Sequence, residues 1–552
     1  MSTSWSRSGA RAAALLLSAG CLASSAATQP NRVTHTYRPA IDALHYDLTI
    51  MLPDTGARIA ARATLELRRA AGADTVVLDL LDLTVDSVAV NGRAAPFTRD
   101  SVSVRIAVPV SVGDSLQATV WYGGIVRDGL IIRRDSATGE WTAFGDNWPN
   151  RARHWIPSID HPSDKATVTW TVEAPSTRTV IANGVLVEET PLTAPLAGRT
   201  RTVWHEGKPI PTYLMVIGAA RLAMLSLGQT ACGMAEQPGC VPQSVYLSPE
   251  LRDYAPGPFA DAGAMVAFFG RIAGPYPYEK LAHVQSATRF GGMENATAIF
   301  YSDGAFRRRS VGTTLIAHET AHQWFGNAVT GREWAHLWLS EGFATYFAAL
   351  WTEHSRGDSA MRASMQAMRR GIIDSEITAQ RPVIDTAQTN LMALLNTNSY
   401  QKGGFTLHML RAVVGDSAFF QAIRAYYAAH VHETALTDDF ARAAEQAHGQ
   451  PLGWFFDQWL RRPGYAEVST SWSYDASARR VLLQVRQGGR WPPYRFPLAV
   501  VLRDTSGTER RVTVEVGAER EQRLTLPVAL DRAPAALLID PDAQLLGTFT
   551  TH

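Results

Sequence analysis

Thr313-Thr314-Leu315-Ile316-Ala317-His318-Glu319-Thr320-Ala321-His322 sets two histidines four residues apart inside a run with apolar residues at helical spacing. Residues four apart share one face of a helix, so both imidazoles reach a single ion while Glu319 stands beside them. A third donor follows in Glu341, after eighteen intervening residues, a gap that suits a loop and a second helix running back. Two histidines and one carboxylate leave the fourth position of a tetrahedral zinc open, which is the layout of a hydrolytic site rather than a structural one. This donor set favours zinc over cobalt or manganese. Zinc bound there would polarise a carbonyl and lower the pKa of water to about 7. Glu319, next to a ligand without being one, is placed to take a proton from that water and pass it to a leaving amine. With 15 His and 51 acids in 552 residues, chance puts the five-residue pattern in roughly two of a hundred such chains, and adds the acid at this spacing in about one of a thousand. The chemistry is amide hydrolysis, and the spacing alone leaves endopeptidase and exopeptidase both open.

Upstream, Gly291-Gly292-Met293-Glu294-Asn295 narrows the choice. Two glycines let a substrate backbone come close, and a carboxylate at Glu294 can form a charge-assisted bond to a free α-ammonium. This segment resembles the exopeptidase motif of the gluzincin aminopeptidases, peptidase family M1, which includes aminopeptidase N and leukotriene hydrolase. The likeness runs along the chain: His45-Tyr46-Asp47-Leu48 resembles the family's first strand, Arg153-His154-Trp155-Ile156-Pro157-Ser158-Ile159-Asp160 its segment beside the active site, and His322-Gln323-Trp324-Phe325-Gly326-Asn327 its metal helix. Trp338-Leu339-Ser340-Glu341-Gly342-Phe343-Ala344 resembles the third-ligand helix, and Ser399-Tyr400-Gln401-Lys402-Gly403-Gly404 the tyrosine motif. The resemblance implies that Tyr400 donates a hydrogen bond to the oxyanion, that Gly291 to Asn295 bind substrate, and that the substrate is a peptide with a free N-terminus.

The chain also departs from the family. Where relatives often carry Glu or Gln as a second contact to the amine, nine residues before Pro157, this sequence has Trp148, with Asp146 and Asn147 as the available substitutes. Ser340 and His336 stand where many relatives have Asn and Asp, so the residues behind the ligands are this chain's own. No large helical C-terminal domain is expected, which leaves an enclosed inner chamber unassured.

The resemblance and the residue patterns together predict a multidomain α+β protein: an N-terminal β-saddle domain (33–225), a thermolysin-like α/β zinc catalytic domain (226–464) and a small C-terminal β-sandwich domain (465–552). Alternating runs such as His45 to Ile50, Ala63 to Leu67 and Ser103 to Ile106 support the first, with Val90-Asn91-Gly92 as a turn. Helical spacing over Phe259 to Ile272, Thr313 to Phe325, Glu341 to His354, Phe405 to Val414 and Phe419 to His430 supports the second. Alternation returns in Val481 to Val485, Leu498 to Leu502 and Val512 to Val516.

Composition sets the outer bounds. Hydrophobic residues are 46% and charged residues 19%, ordinary globular usage. With 52 Lys+Arg against 51 Asp+Glu the net charge is +1, which gives no field for a nucleic-acid partner. Only Lys165, Lys208, Lys280 and Lys402 are lysines, a bias read as codon usage with little function in it. Arg7 and Arg11, the apolar run from Ala12 to Gly20 and the small residues up to Ala27 have the layout of a signal peptide over residues 1–27, so the protein is expected to be exported to the periplasm or secreted. Ser18-Ala19-Gly20-Cys21 offers a minority alternative, a lipidated Cys21. The remaining Cys232 and Cys240, bound for an oxidising compartment, are expected to pair. No later run is apolar and long enough to span a bilayer as a helix, and nothing in the sequence fixes the oligomeric state. A thermolysin-type endopeptidase, which needs no Glu294, and an inactive peptide-binding scaffold are the rival readings.

Overall fold

The structure is a computed structural model that describes residues 38, 40–136, 138–230 and 241–552. The signal segment with Cys21, and the pair Cys232 and Cys240, lie outside the described residues.

The first half is β-rich. Its main sheet has eight strands in the spatial order Val185–Pro191, Arg199–Pro211, Lys165–Pro175, Ile41–Met51, Arg58–Arg69, Ser115–Ile125, Thr84–Val90 and Arg93–Ala94. Neighbours are antiparallel except the central pair, Ile41–Met51 beside Lys165–Pro175, which runs parallel from His45 opposite Thr167 to Met51 opposite Glu173. Alternation in the text becomes alternation of faces: Tyr46, Leu48 and Ile50 are buried while Asp47 and Thr49 between them are partly exposed. Asn91 (φ 48°) and Gly92 (φ 74°) both take the left-handed conformation that a tight two-residue hairpin turn requires.

A mixed five-stranded sheet follows, ordered Ala223–Thr230, Val241–Leu247, Leu281–Ser286, Ala298–Ser302, Gly292–Met293. The three inner strands are parallel to one another, and Leu281–Ser286, the middle one, is buried along its whole length, as expected for a strand covered on both faces. Gly292–Met293 is an edge, antiparallel to Ala298–Ser302 with Met293 opposite Phe300. Helices α1 (Ala262–Ala273), α2 (Thr313–His322), α3 (Trp338–Arg356) and α4 (Gly403–Val414) make up the body behind it. α2 stops at His322, three residues short of the predicted end, because Gly326 turns the chain at φ +117° and the amide of Asn327 returns to the carbonyl of His322 at 3.0 Å. The helices Asp358–Ile373, Thr437–His448 and Gly453–Leu460 were not among those expected. The first two are polar over most of their surface and bury only a few side chains, so their apolar stripe is thin.

Beyond Gly464 the described residues form strands without helix: a four-stranded sheet (Glu521–Thr525, Arg480–Gln487, Ala466–Asp475, Gly547–Thr551) and a three-stranded one (Glu509–Val516, Phe496–Arg503, Ala536–Ile539). No helix among the described residues is long and apolar enough to cross a membrane.

The lysines correct the reading made from composition. Three of the four lie where separate parts of the chain meet, Lys280 and Lys402 buried and Lys165 half-buried, with the ammonium held by main-chain carbonyls. Lys280 donates to Ala182 (3.0 Å) and Thr297 (3.0 Å), Lys165 to Asn327 (3.0 Å) and Ala328 (2.8 Å), and Lys402 to Gly464 (2.9 Å). Burial pushes each of the three down to about 7, against which the surrounding carbonyls favour the charged form. A compact three-donor ammonium fits such a cage where a planar guanidinium does not.

Candidate active site

Two packed helices bring the expected metal donors together. His318 and His322 project from one face of α2, and Glu341 projects from the first turn of α3. Nε2 of His318 and Nε2 of His322 are 3.1 Å apart, and each lies 3.3 Å from Oε2 of Glu341. A tetrahedral zinc with bonds of about 2.0–2.1 Å separates its ligand atoms by about 3.3–3.4 Å, so the triangle has the dimensions of three zinc ligands before any ion is placed in it. Electrostatics agree. Burial alone would lower His322, but Glu294, Glu341 and Glu319 around it hold a proton on it up to about 10. Glu341, which burial would raise, is brought down to about 2 by His322 and His318.

Orientation of His322 comes from its other nitrogen. Nδ1 faces the carbonyl of Phe325 at 3.2 Å and Oγ of Ser340 at 3.1 Å. Ser340 reaches it because position 326 is glycine: a Cβ there would stand 2.3 Å from Ser340 Oγ. His336, the other departure from the family pattern, bonds Thr437 Oγ1 at 2.8 Å and stays off the ligands.

Glu319 points toward the edge strand. Its carboxyl, that of Glu294 and a ring nitrogen of His322 all lie within 4.8 Å of one another. Burial pushes Glu319 well above the usual carboxylate range, reinforced by Glu294 and Glu341 and opposed by His322. Glu294 is raised too, chiefly by burial and then by Glu341. Gly292 makes room for this arrangement, since a Cβ on it would fall 2.2 Å from Oε1 of Glu319, whereas a Cβ on Gly291 meets nothing within 4 Å. Met293 is buried, and Asn295 is fully buried with an amide that finds no partner among the described residues.

Tyr400 sits in a one-turn π-helix, Asn398–Lys402, a form that recurs at functional sites. Its ring stacks over His318 (centroids 5.9 Å apart, 12° between planes) and its hydroxyl lies near Glu341. Burial holds that hydroxyl far above its ordinary pKa, so it is a proton-bearing donor. The two glycines after it serve packing: a Cβ on Gly342 of α3 would lie 2.8 Å from the carbonyl carbon of Gly403, so α3 and α4 touch backbone to backbone and fix Tyr400 relative to Glu341.

Several residues behind the site carried no assignment in the sequence. Nδ2 of Asn327 (2.6 Å) and Nε2 of Gln323 (3.1 Å) both donate to the main-chain carbonyl of Glu294. The motif His322 to Asn327 held both, yet spacing gave no hint of what they bond. The substitutes offered for a second amine contact are corrected. Asp146 is wholly buried and bound by Arg151 (2.9 Å), Arg289 (2.9 Å) and Thr288 (2.9 Å). Asn147 spends its amide on the carbonyls of Thr212 and Met215 and on the indole N–H of Trp155. Trp148 itself is buried edge-on against Phe290 and Trp334. Among the residues weighed for the amine, Glu294 alone stands beside the metal donors.

Comparison with known proteins agrees with this geometry. Residues 260–459 match the peptidase family M1 domain and residues 42–214 the peptidase M1 N-terminal domain. Human glutamyl aminopeptidase is 27% identical over 420 residues, covering 72% of this chain and 42% of that protein. The chain spans about half or less of the length of such curated relatives. Among solved structures, an M1 zinc metallopeptidase from Deinococcus radiodurans superposes with a TM-score of 0.66 at 26% identity, covering 77% of this chain and 94% of that one. Aminopeptidase A of Legionella pneumophila, in complex with aspartic acid, shares the fold at a TM-score of 0.80 and 18% identity, over 93% of this chain and 60% of its own.

Proposed function

The chain belongs to peptidase family M1, and from that premise we propose that it is a zinc-dependent aminopeptidase that removes residues from the free N-terminus of peptides. The observation that carries the reading is the placement of Glu294, a buried carboxylate within 4.8 Å of both Glu319 and a ring nitrogen of the metal donor His322. An acid there is superfluous for cutting internal bonds, but it pairs with an α-ammonium carried by the same residue as the scissile carbonyl.

His318, His322 and Glu341 would hold one zinc. Bound there, the ion supplies Lewis acidity and brings the pKa of water near neutrality. The protein's own groups do the rest. Glu319 accepts a proton from the attacking water and returns it to the leaving amine, a task suited to a carboxyl whose pKa burial has raised. Tyr400 donates its hydroxyl proton in a hydrogen bond to the oxygen that becomes negative on the substrate carbonyl. Glu294 anchors the substrate amine, and Gly291 to Asn295 form the edge along which the substrate backbone lies. Export of the mature protein after removal of residues 1–27 is part of the same reading, checked by sequencing the N-terminus of the secreted chain.

The test is a peptide with a free N-terminus and its N-acetylated twin, each incubated with and without a chelator and read by mass spectrometry. Stepwise N-terminal loss from the free peptide only, abolished by chelation, is expected. Internal cleavage of both peptides would replace the reading with an endopeptidase. In Glu294→Ala the preference for the free amine should collapse, and equal losses on both peptides would remove Glu294 from its assigned role.

A further inference from the structure

The turn that ends α2 is gripped from the other half of the molecule. Three successive carbonyls, those of Gly326, Asn327 and Ala328, each receive a donor from the N-terminal β-rich domain. Tyr213 Oη bonds Gly326 at 2.9 Å, and Lys165 Nζ bonds Asn327 at 3.0 Å and Ala328 at 2.8 Å. The ammonium completes its set on the carbonyl of Glu433 at 3.3 Å. Lys165 and Tyr213 are neighbours by construction, because Lys165 pairs with Pro211 across the eight-stranded sheet, two residues before Tyr213. The same turn carries the side chain of Asn327, whose amide lies 2.6 Å from the carbonyl of Glu294.

A continuous route therefore leads from a strand of the N-terminal domain to the candidate amine anchor: Lys165 to the turn, the turn to Asn327, Asn327 to the backbone of Glu294. We propose that Lys165 is a positioning residue for recognition of the substrate amine, setting where the Glu294 carboxylate stands relative to the metal donors. The inference rests on the reading of Glu294 as the amine anchor. An ammonium suits the task, since its three protons match three carbonyls that converge from two segments. Without it the carbonyl of Ala328 loses its donor, and those of Asn327 and Glu433 keep only the hydroxyl (2.8 Å) and amide (3.1 Å) of Thr330, so the turn has reason to move. Glu294 is sensitive to such a shift, because orientation at the level of an ångström decides whether a charge-assisted bond forms. The zinc donors should feel it less: His318 and Glu341 make no hydrogen bond to the turn among the described residues, and His322, whose carbonyl accepts from the amide of Asn327, keeps its Nδ1 on Ser340 of α3 at 3.1 Å.

The experiment uses the zinc-loaded full-length protein and two inhibitors, an amino-acid hydroxamate and its des-amino counterpart. Both carry the same metal-binding group and differ only in the amine. The ratio of their inhibition constants measures amine recognition independently of the active fraction. In Lys165→Met that ratio should fall by about tenfold, with binding of the des-amino compound and zinc content unchanged, and Asn327→Ala should lower it as well. An unchanged ratio in Lys165→Met, or equal weakening of both inhibitors, overturns the proposal and leaves the lysine a structural staple. If Lys165→Met does not fold, Tyr213→Phe, which releases the same turn at Gly326, decides it: a smaller fall in the ratio supports the proposal and no change overturns it. A wild-type protein that binds both compounds equally would instead refute the amine-anchor reading itself.

Discussion

His318, His322 and Glu341 come from two helices that lie against each other, whereas the segment from Gly292 to Thr297 that faces them is fastened from elsewhere. The donors converge through helical periodicity and the backbone contact of α3 with α4. The segment that continues the edge strand is held through its main chain: Gln323 and Asn327 on the carbonyl of Glu294, Asn183 on that of Ala296 at 2.7 Å, and Gln323 Oε1 on the amide of Thr297 at 2.9 Å. Thr297 takes a left-handed conformation (φ 63°) amid these bonds, a cost that the surrounding contacts must offset. On the proposed reading, chemistry resides in side chains on a compact helix pair, and recognition in a segment held by the turn that ends α2 and by Asn183 of the N-terminal domain. Damage to the first should lower turnover, and damage to the second should change what is accepted.

Five substitutions would break or sharpen that contrast. Glu319→Gln should lower kcat by about 10²- to 10⁴-fold with zinc retained in metal analysis, and near-native turnover would remove Glu319 as the proton carrier. Tyr400→Phe should cost about 100- to 1,000-fold in kcat with little change in KM, as a donor used only in the transition state does. On the strand side, Gly292→Ala should displace Glu319 and cost about 100-fold in kcat/KM, while Gly291→Ala, whose methyl meets no protein atom within 4 Å, should leave Glu319 in place and act through KM alone, with a smaller loss. Equal losses in the two alanine variants would mean that the backbone near Gly292 yields and the packing argument fails. Smallest is Ser340→Ala. Zinc affinity, read by competition with a chromogenic chelator, should fall by about tenfold, at the low end because Phe325 still holds His322 Nδ1.

The two sides differed equally in how far the sequence exposed them. Helical spacing makes His318, Glu319 and His322 visible as a unit, and Glu341 follows from one further acid at a plausible distance. Strand alternation likewise revealed Ile41–Met51 and its partners, since one buried face writes itself into every second residue. Lys165, Gln323 and Asn327 could not be found this way. Their partners are backbone carbonyls, which every residue has, so no residue type at the other end marks the contact. The departure at Trp148 was visible but not its outcome, because whether Asp146 and Asn147 are free depends on Arg289, Thr288, Thr212 and Met215, all more than sixty residues away. Polar helices such as Asp358–Ile373 escaped for a simpler reason, a buried stripe only a few side chains wide.

The grip of main-chain carbonyls on Lys165, Lys280 and Lys402 has a practical side. Lys208 is the one fully exposed lysine, with Lys165 half-buried and the other two enclosed, so reagents that acylate primary amines should react first at this side chain and at the chain terminus. A fluorophore, a spin label or a bead coupled in this way would attach at one known point on the eight-stranded sheet. A protease that cuts only after lysine would find the folded protein almost closed to it, and the rate at which the three other sites open would report directly on how often the domains part.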